Sequence, residues 1–193
     1  MHPLVFLLPM ACPLTPDEGR TLCLAADDIK RSLYLEKPSF PPAQHSLASQ
    51  VLLRYAAAKT LGKPMHNVCI RYTGRGRPTL PGTGLFGSIS HTDGLCVCAL
   101  CDVPVGVDAE RIRPYSARVA ARVFSEEEKR LLERSEDADK TFFEVWTKRE
   151  SFVKCLGTGL ADISAPLPEN ARFQTFPWQD AFVISVCTFT KTS

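Results

Sequence analysis

Two long helix-forming stretches, each set among strand-like runs, constrain this chain more than any other feature. The first, about 46–61, gathers Leu47, Val51, Leu52, Tyr55, Ala58 and Leu61 on one face and stops at Gly62, with Pro64 beyond. The second, about 137–156, is ended by Gly157. Strand-like segments at 4–8, 68–72, 86–91 and 95–101 surround the first, and segments at 105–110, 172–177 and 181–189 surround the second. Further helices are predicted over 16–36, 116–123 and 126–134. Thr15 with Glu18, and Ser125 with Glu128, form capping boxes at the starts of two of them, and Pro16 suits a first helical position. No sequence repeat is visible, yet both halves carry strands plus one long helix. The expectation is an α+β fold of two similar lobes, a pseudo-dimer, each a small antiparallel sheet packed on a long helix. Asp102-Val-Pro104 reads as the linker, dividing an N-terminal lobe, 1–103, from a C-terminal lobe, 104–193.

Composition narrows the class of function. Among 193 residues, 23 Lys and Arg nearly balance 21 Asp and Glu, for a net charge of +2, which argues against a nucleic-acid partner. Apolar residues make up 45% and charged residues 23%, the proportions of a globular chain able to build its own core. No apolar run approaches the roughly 18 residues of a membrane span, so no membrane partner is expected. The apolar start, Met1 to Met10, lacks Lys or Arg and is interrupted by prolines, which favours a first strand over a secretion signal. Three of the eight cysteines, Cys96, Cys98 and Cys101, fall inside a run that reads as a buried strand. Cysteine acts there as a small hydrophobe, and unpatterned thiols suit a reducing cytoplasm. The other reading, a zinc module of these three with His91, lacks paired Cys-x-x-Cys spacing.

Acids and cations segregate. Asp108 and Glu110 stand two apart on the strand Val105-Gly-Val-Asp-Ala-Glu110, so period two places both carboxylates on one face. Such a pair repels itself unless a cation sits beside it, and Mg²⁺ takes such oxygen ligands. The alternative is a strand end in solvent, with Glu110 paired to Arg111 or Arg113. On the second long helix Trp146, Glu150 and Lys154 are four apart and share a face, with Arg149 beside it. A solvated Glu–Lys pair is the plain alternative, but Trp146 argues for an anchored face, which sets Glu150 at the edge of a cleft. In the first half, Arg71, Arg75 and Arg77 surround a glycine-rich loop, and Ser90-His91 ends a strand. Arginines on flexible backbone can bind phosphate, or simply form a basic surface loop, and His91 can equally be structural. A ligand with several phosphates, bound with Mg²⁺ between the lobes, would use both halves.

Taken in order, Gly76-Arg-Pro78, Phe86-Gly-Ser-Ile-Ser-His91, Val105-Gly-Val-Asp-Ala-Glu110, Phe124-Ser-Glu-Glu-Glu128 and Trp146-Thr-Lys-Arg-Glu-Ser-Phe-Val-Lys154, with Gly157-Thr-Gly-Leu160 after it, resemble the 4′-phosphopantetheinyl transferase superfamily in its two-lobed, surfactin-synthetase-activating type. The resemblance implies transfer of 4′-phosphopantetheine from coenzyme A, with Mg²⁺ (Mn²⁺ being allowed by oxygen ligands), to a serine of an acyl, peptidyl or aryl carrier protein, leaving adenosine 3′,5′-bisphosphate. It implies that Asp108, Glu110 and Glu150 are metal acids and that Glu150 is the base toward the carrier serine. It implies that Lys154 contacts the diphosphate and that Ser90, His91 and Arg77, with Arg75, lie near the coenzyme A phosphates. The N-terminal third carries the resemblance poorly. Position 46, where the family usually has an arginine, is Ser46, which leaves Lys30, Arg31 or Lys37 to supply a cation. Arg111, Arg113, Arg118 and Arg122 are candidates for meeting an acidic carrier. A cytoplasmic monomer is implied, because the cleft lies within one chain. The alternative reading is a silent coenzyme A or carrier-binding homologue.

Overall fold

The computed structural model describes residues 1–159 and 162–189; Leu160, at the end of the glycine-rich stretch, and 190–193 lie outside the described residues. Three strands, β1 (Leu4–Pro9), β4 (Phe86–Thr92) and β5 (Leu95–Cys101), form one antiparallel sheet in the order β1-β5-β4. A second antiparallel sheet, β6-β8-β7, is built from β6 (Val105–Arg111), β7 (Ala171–Trp178) and β8 (Phe182–Phe189). A minimal pair, β2 (Arg71–Tyr72) with β3 (Pro78–Thr79), closes the glycine-rich loop.

Central strand β5 is buried along its whole length, and its alternation feeds two cores. Cys96, Cys98 and Leu100 pack against Leu52, Leu53 and Ala56 of the long helix α3 (Pro41–Leu61). Leu95, Val97, Ala99 and Cys101 turn the other way, onto Val105, Val107 and Ala109 of β6 and Ile184 and Val186 of β8. The cysteines are therefore strand filler, and Cys101 points away from Cys96 and Cys98, which removes the zinc-module reading. The far side of β6 and β8 is covered by the second long helix, α6 (Ala138–Leu156). Contacts thus run from helix to sheet to sheet to helix, a mixed α/β fold of small antiparallel sheets.

Side-chain hydroxyls join the sheets where edge strand β4 meets edge strand β6. The β6 amides of Val107, Ala109 and Arg111 donate in turn to Ser88 Oγ (3.0 Å), Ser90 Oγ (3.4 Å) and Thr92 Oγ1 (3.3 Å). An open sheet edge cannot be buried with its amides unpaired, so these hydroxyls are what allows the two edges to meet.

Three expectations need correction. The helix over 16–36 is two helices, α1 (Pro16–Ala25) and α2 (Asp28–Glu36). Ala26 is extended and Asp27 caps a new start, its Oδ1 accepting from Lys30 N at 2.9 Å. The break is held from outside, because Asp27 N donates to Gln50 Oε1 of α3 at 3.1 Å. Helix α3 begins at Pro41 rather than near 46, since proline fits the first helical turn. The strand expected over 68–72 shrinks to Arg71–Tyr72, a 3₁₀ turn occupying Met65–Asn67 before it. The remaining helices, α4 (Ala117–Val123) and α5 (Glu126–Glu133), match expectation, and both capping boxes form.

Candidate active site

The seam between β4 and β6 places three predicted residues in one cluster. Ser90 Oγ donates to Asp108 Oδ1 at 2.7 Å, and Lys154 Nζ donates to Asp108 Oδ1 at 2.7 Å and to Ser90 Oγ at 2.9 Å. Each comes from a different element, β4, β6 and α6. Gly106 makes the third approach possible: a Cβ there would stand 1.9 Å from Ser151 O and 2.5 Å from Cys155 N. Only a residue without a side chain lets α6 settle this low on the strand.

Glu150, one turn before Lys154, lines the same hollow as Asp108 and Glu110. Burial, then the charge of Asp108, raises the Glu150 carboxyl to about 7, with Lys154 opposing and Glu110 adding to the rise. Glu110 is raised for the same two leading reasons, although Arg113 is paired with it at 3.0 Å. Asp108 itself is 4% exposed, and its Oδ2 is buried without a hydrogen-bond partner. Among the described residues no three acids, histidines or cysteines are gathered closely enough to hold a metal ion by themselves. An orphaned buried carboxylate oxygen with two further carboxyls lining the same hollow nonetheless fits a hard divalent cation taking oxygen ligands.

Two adjoining cavities share Ile89, Glu150 and Lys154. One, about 310 Å³, is bounded by Arg75, Arg77, Ser88 and Gly157; the other, about 270 Å³, by Lys30, Ser46, Ser90 and His91 together with the acids. Arg75 and Arg77 do more than edge the first cavity. Arg75 Nη1 donates to Thr158 O at 3.0 Å and Arg77 Nη1 to Cys155 O at 3.2 Å, tying the glycine-rich loop to the end of α6. Arg77 Nη2 is buried and unpaired, so this side chain keeps a donor in reserve. His91 is brought beside His45, ring centroids 5.8 Å apart. Desolvation, then the positive neighbours His45, Lys154 and Lys30, hold its ring down to about 4, against Asp108.

Of Lys30, Arg31 and Lys37, the cations named for an arginine at 46, Lys30 lines the second cavity. Lys30 Nζ donates to Ser46 Oγ at 2.8 Å and lies 5.3 Å from the Tyr72 ring, inside the second cavity. Arg31 is spent on Cys23 O and Ala26 O, and Lys37 lies over Phe40. Arg149, read as standing beside the functional face, points inward. It is 3% exposed, pairs with Glu128 at 2.6 Å, and donates to Ile163 O and Ala165 O. Trp146 stacks on Phe142 and, with Glu110 and Arg113, edges a further hollow.

Comparison with known proteins gives the family. A family model described as the 4′-phosphopantetheinyl transferase superfamily matches residues 104–192. A 4′-phosphopantetheinyl transferase of Bacillus subtilis is 30% identical over 91% of this chain and 87% of its own length. The chain belongs to the 4′-phosphopantetheinyl transferase superfamily. The transferase psf-1 of Bacillus pumilus is 29% identical, covering 76% of this chain and 71% of that protein. HetI of Nostoc, also named a 4′-phosphopantetheinyl transferase, is 29% identical over 88% of this chain and 77% of its own. The family model reaches only the second half, whereas these relatives extend the likeness through the first. This transferase is thus an enzyme of phosphopantetheine transfer, with coenzyme A and carrier proteins as its family's substrates. Among the described residues no helix is long and apolar enough to cross a membrane.

Proposed function

We propose that this transferase moves 4′-phosphopantetheine from coenzyme A to a serine hydroxyl of an acyl, peptidyl or aryl carrier protein, releasing adenosine 3′,5′-bisphosphate. The observation that carries the reading is the Ser90–Asp108–Lys154 cluster, with the free Oδ2 of Asp108, set where the two cavities meet. In this reading residues 1–103 and 104–193 act as similar lobes of a pseudo-dimer, and coenzyme A lies across their seam. Lys30, Arg75, Arg77, Ser90 and His91 face its phosphates.

Asp108, Glu110 and Glu150 would hold Mg²⁺, or Mn²⁺ in its place, and the ion would neutralise charge on the diphosphate. Phosphoryl transfer asks mainly for positioning and charge neutralisation. Lys154, fixed by Asp108 and Ser90, carries a positive charge to the bridging and leaving oxygens. Glu150 accepts the proton of the carrier serine as its oxygen bonds to phosphorus and the bond to the nucleotide-side phosphate breaks. Arg111, Arg113, Arg118 and Arg122 offer positive charge to an acidic carrier. The protein works as a cytoplasmic monomer, and neither nucleic acid nor membrane takes part.

The test is the intact mass of apo acyl, peptidyl and aryl carrier proteins incubated with this protein, coenzyme A and Mg²⁺. The expected result is a gain of one phosphopantetheinyl group, abolished by EDTA. Failure to modify all three carrier classes, with coenzyme A binding intact, would reduce the protein to a silent binder.

A further inference from the structure

The last turn of α6 and the end of β8 bring together two buried cysteines that the transfer reaction does not use. Cys155 is 2% exposed and Cys187 0%, and both lie in one apolar cluster with Phe152, Val153 and Ala171. Gly106 is the reason they meet. It is the cross-strand partner of Cys187, so positions 106 and 187 face the same side of the sheet, toward α6. A Cβ at 106 would stand 3.0 Å from Cys155 Cα. With only hydrogen there, Cys155 drops beside Cys187 in the apolar cluster they share. The Cys155 thiol donates to Pro104 O at 3.2 Å.

We infer that Cys155 and Cys187 form a reversible disulfide when the protein meets a peroxide, and that this bond switches the transferase off. The pair divides the chemistry unequally. The neighbouring Cys187 thiol, then the Arg77 charge, hold the Cys155 thiol below its usual range despite burial; the neighbouring Cys155 and burial push Cys187 up. Cys155 is therefore the first nucleophile. Its thiolate attacks one peroxide oxygen, the O–O bond breaks, hydroxide leaves, and a sulfenic acid forms. The Cys187 sulfur attacks that sulfur, and its proton leaves with the hydroxyl as water. Two thiols lose two electrons and two protons, and one hydrogen peroxide becomes two waters. Both cysteines sit near the ends of their elements, Leu156 and Phe189, where local opening admits a small oxidant.

The bond acts on the site because it is one residue from it. To bond, the two neighbouring thiols must close to an S–S distance of about 2 Å. Cys155 follows Lys154 directly, and its carbonyl accepts from Arg77 at 3.2 Å. Displacement of about 1 Å in a catalytic group costs on the order of 100-fold in rate. The loss of activity rests on the function proposed above; the disulfide does not.

The experiment uses the full chain with exposed Cys12 and Cys69 replaced by serine. Protein treated with graded hydrogen peroxide is alkylated, digested and mapped by mass, and in parallel assayed on apo carrier. The expected result is a linked peptide containing Cys155 and Cys187, two hydrogens lighter than its parts and cleaved by dithiothreitol. Carrier modification should fall on the order of 100-fold and recover on reduction. A Cys187→Ala variant, or Cys155→Ala should the first fail to fold, should keep its activity through the same treatment. Absence of the linked peptide overturns the pairing. A full yield of it with undiminished transfer overturns the switch. An unmodified carrier before any oxidation speaks against the function alone, since the peptide map still reads the pairing.

Discussion

Lys154 and Asp108 lie on facing elements with Nζ 2.7 Å from Oδ1, and Ser90 closes the triangle from a third. Asp108 is buried and Lys154 is partly exposed, so the carboxylate fixes the lysine and depends on it for its countercharge. Asp108→Asn keeps the volume and removes the charge. Loss of one partner of a buried pair costs about 3–5 kcal/mol, and the partial exposure of Lys154 places this case at or below the lower end. The expected outcome is a soluble protein with a modest fall in Tm and carrier modification reduced about 100-fold or more, about 3 kcal/mol in barrier. Mass analysis of the carrier and a melting curve decide it. Unchanged transfer would remove Asp108 from the site.

Gly106 carries a different kind of demand, made by space. Any Cβ at 106 meets the α6 backbone at Ser151 O, 1.9 Å away, which is not a flexible side chain that can swing aside. Gly106→Ala must therefore lift the helix that bears Glu150 and Lys154. Overpacking costs about 1–3 kcal/mol and occasionally more, and a clash with helix backbone sets this case at the upper end. Expected are poor solubility or a Tm lowered by about 5 °C or more, with transfer lost. Gly74→Ala is the control, because nothing lies within 4 Å of a Cβ there, and it should melt like the parent.

The parts of this site that were legible beforehand are those written in local periodicity. Period two puts Asp108 and Glu110 on one face, and a spacing of four sets Glu150 and Lys154 one above the other. The alternating hydroxyls of Ser88, Ser90 and Thr92 were in view as well, but their role needs a partner strand about 19 residues away whose amides they cap. Long-range contacts hid the rest. The break at Ala26–Asp27 is held by Gln50, 23 residues on, so the capped helix start at Thr15 gave no warning of it. Arg149 sits beside the functional face by count, and only Glu128, at a distance of 21 residues, shows that it turns inward.

Arg149 accordingly predicts a loss of stability rather than of chemistry. Its guanidinium, nearly fully buried, spends its donors on Glu128 and on two carbonyls, Ile163 O at 2.8 Å and Ala165 O at 3.1 Å. Glu128 Oε2 meanwhile accepts from Ser125 N, so one carboxylate serves a helix cap and a buried pair together. Arg149→Met leaves Glu128 unpaired and should cost about 3–5 kcal/mol. Arg149→Lys, with the charge but not the fork, should recover only part of it. Measured per folded molecule below the melting transition, kcat on the carrier should stay within about two-fold of the parent. A large fall in kcat at unchanged Tm would instead place Arg149 in the reaction.

Lys30 tests how this chain manages with serine at position 46. Its Nζ reaches Ser46 Oγ across the second cavity, whereas Arg31 and Lys37 are engaged elsewhere. Burial lowers the lysine's pKa, with Asp27 opposing, so the ammonium is held at some cost in solvation that an anionic ligand would offset. A hydrogen bond to a charged group is worth about 1.5–3 kcal/mol. Lys30→Met should therefore raise KM for coenzyme A about ten-fold or more, leaving kcat within about two-fold and Tm level or slightly higher. Lys37→Met should leave both kinetic constants unchanged. Equal effects of the two substitutions would reduce Lys30 to one more surface charge, while a fall in kcat alone would move it from binding the nucleotide end to the transfer step.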